Sequence, residues 1–253
     1  MILIAESKSM NDELHSVSSL RGSEPIFEAQ AHEIMASVAE MTPGEAAAML
    51  HSSGRLGLTA VELARAFTHT SLGLPAIGAF TGVVFRSLDA ATIGSQISTL
   101  NSRLRIVSSA YGLLRPDDII RPYRLEFGAV VPGIEGSLKK LWKTKLTMLV
   151  GHHLKENPDS TLIVVLPADA QACFDWKLLR GLGSIAFVEL RTYSDSGKLT
   201  TPRAERLKDR RGLFIRQLLE AGITNSAGLE TFTSPDFEYI GQDLGPGRYA
   251  FLC

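Results

Sequence analysis

The apolar positions of the chain fall into two patterns: short continuous runs, and stripes that recur every three or four residues. Residues 1–4 form a run that reads as a buried strand, and a polar loop is expected over residues 11–24. Phe27, Ala31, Ile34, Val38 and Met41 then recur at helical spacing. Thr42-Pro43 marks a helix start, with Thr as N-cap and Pro at the first helical position. A glycine-containing turn over residues 52–58 leads to a second helix over residues 60–67, introduced by Thr59 and Glu62 at capping-box spacing. Residues 43–67 therefore read as helix, tight turn, helix. An apolar stretch follows Pro75 as far as Phe85, and Asp89 caps a helix from Ala90 with Ile93, Ile97 and Leu100 on one face.

Strands are expected over residues 104–107 and 123–127. Ser137 caps a long helix to residue 155, striped by Leu138, Leu141, Trp142, Leu146, Leu149 and Val150. Residues 161–166 are the clearest buried strand, a continuous β-rich run, and residues 185–190 are another. The basic helix 203–221 sets Leu207, Leu213, Phe214, Leu218 and Leu219 largely apart from Arg206, Lys208, Arg210 and Arg211. Gly245-Pro246-Gly247 turns into a terminal strand over residues 249–252. Strands and helices alternate with no linker, repeat or low-complexity tract. The expected architecture is one α+β (mixed α/β) domain over residues 1–253, a mixed sheet surrounded by helices.

With 45% hydrophobic and 21% charged residues the chain has the composition of a globular protein with a sizeable core. No apolar run reaches the roughly 18 residues of a membrane span, and residues 1–10 lack the basic start and long apolar stretch of a signal peptide. Cys173 and Cys253 are too few for a disulfide framework or a four-thiolate metal site, so a reducing cytoplasmic setting is expected. The histidines, His15, His32, His51, His69, His152 and His153, form no metal-ligand spacing with cysteines or carboxylates, and neither metal nor cofactor is expected. The net charge is −1, but it is segregated. Residues 103–145 hold nine basic and four acidic side chains, a balance of +5, and residues 203–216 hold six and two, a balance of +4. A folded molecule with one basic face follows, unless these are simply solvated helix faces.

The segment 104–128, LRIVSSAYGLLRPDDIIRPYRLEFG, places two Arg-Pro turns around a short acidic stretch. It closely resembles the signature of the YaaA family of peroxide-stress proteins, a Ser-Gly-Leu-Tyr-Gly-x-Leu-Arg-Pro run followed by Pro-Tyr-Arg. The matching positions are Ser108, Tyr111, Gly112, Leu114, Arg115, Pro116, Asp118, Ile120, Pro122, Tyr123, Arg124 and Gly128. The opening MILIAESK looks like the family's short strand, polar turn and lysine, which places Lys8. Leu141-Trp142 and the KDRRG segment at 208–212 fall where the family has an aromatic pair and a Lys-x-x-basic-Gly run. Two stretches depart from the pattern. The family's Phe-x-Gly-Asp-Val-Tyr is here Phe80-Thr81-Gly82-Val83-Val84-Phe85, so Val83 and Phe85 replace a carboxylate and a phenol. Pro167-Ala168-Asp169-Ala170 stands where members show an Asn/Ser/Ala-rich turn with a Glu. The resemblance implies a compact mixed fold with a positively charged cleft, a cytosolic location and hydrogen-peroxide resistance through limiting free iron. It also implies binding of duplex and branched DNA through a helix-hairpin-helix-like element.

Such a hairpin would hold phosphate on backbone N–H groups at a glycine turn, and Gly54, Arg55 and Gly57 are its candidates. The two glycines are one residue too far apart for the usual Gly-apolar-Gly core, and an ordinary helical connection is the alternative. The basic constellation is Arg115, Arg121, Arg124, Lys208 and Arg211, with Lys8 beside them. Arginine's planar fork suits phosphate oxygens, and Tyr123 offers a surface for stacking. The competing role for Arg115 and Arg124 is pairing with Asp117, Asp118 or Glu126 inside the fold. No phosphate-loop, nucleophile-elbow or dinucleotide motif is present. Two function classes follow: a DNA-binding protein of oxidative-stress defence, or an enzyme for a small anionic nucleotide or carboxylate, with Lys8, Tyr123 and Glu126 as acid–base candidates. A broad groove favours the first and a closed pocket the second.

Overall fold

The computed structural model describes residues 1–11, 22–70, 72–93, 97–241, 245 and 247–253. Most of the loop expected at 11–24, His15, Pro246 and the side chain of Ile97 lie outside the described residues. In chain order the first half comprises β1 (Ile2–Ala5), α1 (Glu28–Ala39), α2 (Pro43–Met49), α3 (Gly54–His69), β2 (Leu74–Pro75), α4 (Ala76–Ala79), α5 (Val83–Leu88), α6 (Ile97–Arg103), β3 (Leu104–Ser108), β4 (Gly112–Leu114) and β5 (Ile119–Ile120). The second half comprises α7 (Leu138–Glu156), β6 (Thr161–Val164), α8 (Ala168–Gln171), α9 (Trp176–Arg180), β7 (Ser184–Tyr193), β8 (Leu199–Thr200), α10 (Ala204–Glu220), α11 (Ser226–Thr231), β9 (Glu238–Gly241) and β10 (Arg248–Leu252).

One mixed sheet organises the domain, in the order β4-β3-β1-β6-β7-β10-β9, with β8 paired to β7. Its five central strands are parallel, registered by Ile2 against both Leu104 and Ile163, by Thr161 against Ser184 and by Arg248 against Phe187. The flanking β4 and β9, like β8, pair antiparallel. Parallel strands need crossovers, and the crossover helices cover both sheet faces, which is why β1 and β6 read as unbroken apolar runs. From α7, Trp142 is fully buried and its indole N–H donates to Ser109 O at 2.8 Å. From α10, Phe214 meets Phe232, Phe237 and Phe251 at ring-centroid distances of 5.8, 5.0 and 4.7 Å.

Four local expectations are corrected. Helix α3 begins at Gly54, so Gly54, Arg55 and Gly57 occupy its first turns instead of the connection before it. Thr59 is not a cap, since its hydroxyl donates to Arg55 O; the capping box lies one helix earlier, between Thr42 and Glu45. The reason for Gly57 is helix packing: a Cβ there would lie 2.2 Å from Pro43 O in α2. Asp89 closes α5 in the left-handed region (φ 44°) instead of opening a helix, held by Thr92 and Arg216. Residues 123–127 join no strand, yet they keep strand-like alternation, with Tyr123, Leu125 and Phe127 buried and Arg124 and Glu126 partly exposed.

Strand β1 leads to β3 on one side, whereas β6, on its other side, leads to β7. Adjacent strands whose connections diverge leave a crevice at their carboxyl ends, the place where open α/β sheets bind ligands.

Candidate functional site

A pocket of about 430 Å³ occupies this crevice. Its walls are the turn after β1 with Glu6, Ser7 and Lys8, the turn after β6 with Pro167 and Asp169, the start of α5 with Val83 and Arg86, and the α10 face bearing Lys208 and Arg211. Gly212 sets that last wall. A Cβ at Gly212 would lie 2.2 Å from Val84 O, so only glycine lets the α10 backbone rest directly on α5. Lys208 and Arg211, one turn and one residue earlier, are thereby brought to the pocket.

Arg211 is half-buried, and burial pulls its pKa below the usual arginine range, against the opposing effect of Glu189 and Asp169. Among the described residues neither Lys208 nor Arg211 has a hydrogen-bond acceptor or ion-pair partner. A withdrawn charge without a partner is costly, and an anion in the pocket removes that cost. Lys8 is differently held. Its ammonium pairs with Glu126, and its carbonyl accepts from Arg124 Nη1 at 2.8 Å. Arg124 and Glu126, on one side of the alternating segment, thus both grip the β1 turn.

Glu6 is the residue that the sequence reading passed over. Its Oε2 accepts from the Ser109 N–H at 2.8 Å and from the Tyr123 hydroxyl. Tyr123 lies 2.7 Å from Ser108 Oγ, which itself accepts from the Tyr111 N–H at 2.9 Å. A phenol has one proton, so with Tyr123 donating to Glu6, Ser108 donates to Tyr123. Every donor in the chain therefore points toward Glu6 Oε2. Burial raises the Glu6 pKa from 4.5 to about 7, with the hydrogen bonds from Ser109 and Tyr123 working against the rise. Burial and the neighbouring Glu6 push the Tyr123 phenol well above its ordinary value.

The other candidates separate from this pocket. Arg115 lines a different cleft of about 410 Å³ with Met1, Arg105 and His153, so it does not converge with Lys208 and Arg211 as the shared signature suggests. Arg121 is buried and saturated: it donates to Phe67 O and Thr70 O, both at 3.0 Å, pairs with Glu28, and stacks 4.1 Å over the Phe67 ring. Tyr123 is only 4% exposed, which leaves no open ring for stacking. Cys173 is buried, and burial with Glu6 and Asp169 nearby pushes its thiol up to about 12, so it supplies no thiolate. Among the described residues no three His, Cys, Asp or Glu side chains gather as a metal site, and no helix is long and apolar enough to cross a membrane.

Comparison with known proteins places this geometry in context. A family model described as the peroxide stress protein YaaA matches residues 1–242. The chain is 28% identical over its full length to a UPF0246 protein of Parabacteroides distasonis, covering 99% of that protein. It is 28% identical, again over its full length, to a UPF0246 protein of Shewanella oneidensis, of which it covers 98%. A UPF0246 protein of Neisseria gonorrhoeae shares 29% identity over 90% of this chain and 89% of its own length.

Proposed function

The chain belongs to the YaaA peroxide stress protein family, and from that premise we propose that the pocket at the carboxyl ends of β1 and β6 binds a compact anionic ligand, a nucleotide or carboxylate, in oxidative-stress defence. Lys208 and Arg211 take the anionic group, Lys8 guards the mouth, and Glu6 faces the ligand as an acid–base group. The observation that carries this reading is Arg211, a half-buried guanidinium with no acceptor among the described residues, on the wall of a ligand-sized cavity. At neutral pH the positive side chains Lys8, Arg86, Lys208 and Arg211 outnumber Asp169 and a partly protonated Glu6.

A second reading, DNA as the ligand, is favoured by the same gathering of Lys8, Arg86, Lys208 and Arg211 at one mouth, because phosphodiesters present the same charged oxygens. Gly57 of α3 gives it no support, since its lack of a side chain serves packing against α2. Calorimetric titration of the full chain with inorganic phosphate and with duplex DNA, each across salt concentrations, separates the readings. Saturable phosphate binding, weakened about tenfold or more by Arg211→Ala, is expected. A log–log salt slope for DNA near −0.9 per phosphate contacted, reduced by about one unit in Lys208→Ala, would instead select the DNA reading.

A further inference from the structure

The hydrogen bonds around Glu6 decide where its proton sits. Oε2 already receives two donors, the Ser109 N–H and the Tyr123 O–H, and a proton placed on that atom would oppose both. Oε1 has no hydrogen-bond partner among the described residues and is not sealed from the cavity. The proton of neutral Glu6 therefore resides on Oε1, on a carboxyl that lines the same cavity as Lys208 and Arg211.

We propose that Glu6 exchanges this proton with the bound anion, so that the pocket selects an anion that still carries a hydroxyl at neutral pH, inorganic phosphate, over groups without one, such as sulfate, an internal phosphodiester or a monoester dianion. This rests on the anion-binding reading above. In the exchange the Oε1–H bond breaks as an O–H bond forms on the ligand oxygen, and returns by the reverse step; no electrons change hands. Neutral Glu6 donates to an ionised oxygen. Ionised Glu6 accepts from a P–OH group, which sulfate lacks. The same carboxyl thus meets inorganic phosphate, which keeps a P–OH well above neutral pH, favourably in both of its states, and meets sulfate or a monoester dianion, whose last proton leaves near about pH 6, in only one.

The groups facing Glu6 are set to permit this. Lys8 follows in its own turn, Tyr123 lies beneath it, and Arg86 comes from α5. Lys208 and Arg211 come from α10, and Asp169, with Cys173 behind it, from the α8 side. None of these cations forms a hydrogen bond or ion pair with Glu6, so none holds it permanently ionised. Burial meanwhile brings its titration to about pH 7.

The test is binding of inorganic phosphate and of sulfate to the full chain between about pH 6 and pH 8.5, read by calorimetry and by the Ser109 amide resonance, whose N–H touches Glu6. Sulfate affinity is expected to fall about tenfold per pH unit above the Glu6 titration, while phosphate affinity holds. In Glu6→Gln sulfate binding becomes independent of pH and the preference for phosphate at high pH disappears. Sulfate affinity that stays level in the wild type, or a Glu6→Gln protein with wild-type selectivity, overturns the proposal. Should Glu6→Gln fail to fold, the wild-type comparison of the two anions still decides it. Failure of the underlying reading has a separate signature: neither anion binds the wild type, or Arg211→Ala binds both unchanged, and the proposal falls with it.

Discussion

Arg121 and Arg211 are both withdrawn from water, and they meet opposite surroundings. Arg121 has two carbonyls, a carboxylate and an aromatic face. Among the described residues Arg211 has no hydrogen-bond or ion-pair partner and feels only the fields of Glu189 and Asp169. The first guanidinium closes the carboxyl end of α3 and fastens it to α1; the second is left open toward a cavity. Conserving a charge through folding serves stability where acceptors come from the chain itself, and binding where they must come from outside. The contrast makes Arg121 part of the packing and leaves Arg211 on the pocket wall.

Substitution breaks this comparison in opposite directions. Arg121→Ala leaves Glu28 and two helix-end carbonyls without their partner, and is expected to lower unfolding free energy by about 3–5 kcal/mol, seen as a large drop in melting temperature. Arg211→Ala is expected to leave melting unchanged or slightly higher, because an unpaired, desolvated charge is removed, while phosphate affinity falls by about tenfold or more. A variant pair with these outcomes exchanged would reverse the assignment.

Acid sensitivity sharpens the picture further. The Glu6 pKa is raised on folding from 4.5 to about 7, so the native state holds a proton that the unfolded chain has lost. Its stabilising effect is complete below about pH 4.5 and is lost as pH rises to about 7, amounting to at most about 3 kcal/mol. Denaturant titrations across that window are expected to show this decline in the wild type and its absence in Glu6→Gln. The smallest effect concerns Val83, which stands in the pocket wall where family members have a carboxylate. Val83→Asp adds negative charge beside the anion and is expected to weaken phosphate binding a few-fold, with unchanged affinity arguing that the ligand sits away from α5.

The central strands were legible in sequence because burial on both faces leaves continuous apolar runs, as in residues 2–5 and 161–164. The edges were not. Strands β4, β5, β8 and β9 have two to four residues each, too few for a period, and helices α8, α9 and α11 are similarly brief. Of the basic residues singled out in sequence, Lys8, Lys208 and Arg211 line one pocket, whereas Arg115 lines another cleft and Arg121 is buried in the packing. Basic residues announce themselves in a sequence, but two of the acceptors that hold Arg121 are main-chain carbonyls, which have no sequence signature, and Glu28 lies 93 residues away in the chain. Glu6 was missed for a related reason. A lone carboxylate in a polar turn looks like solvent-facing chain, and only its place at the carboxyl end of the strand where the sheet order diverges marks it out.

The contact at Gly212 works as a registration mark. Because no other residue type lets α10 lie against the Val84 carbonyl, the helix has one seating on α5 and no neighbouring one. A slip by a single residue would turn α10 by about 100°, carrying Arg211 off the pocket wall and offering a neighbour in its place. The nearest candidate, Arg210, is already committed to Asp236 at 3.0 Å. In a helix with four basic residues among six, the absence of one side chain tells the molecule which of them faces the pocket.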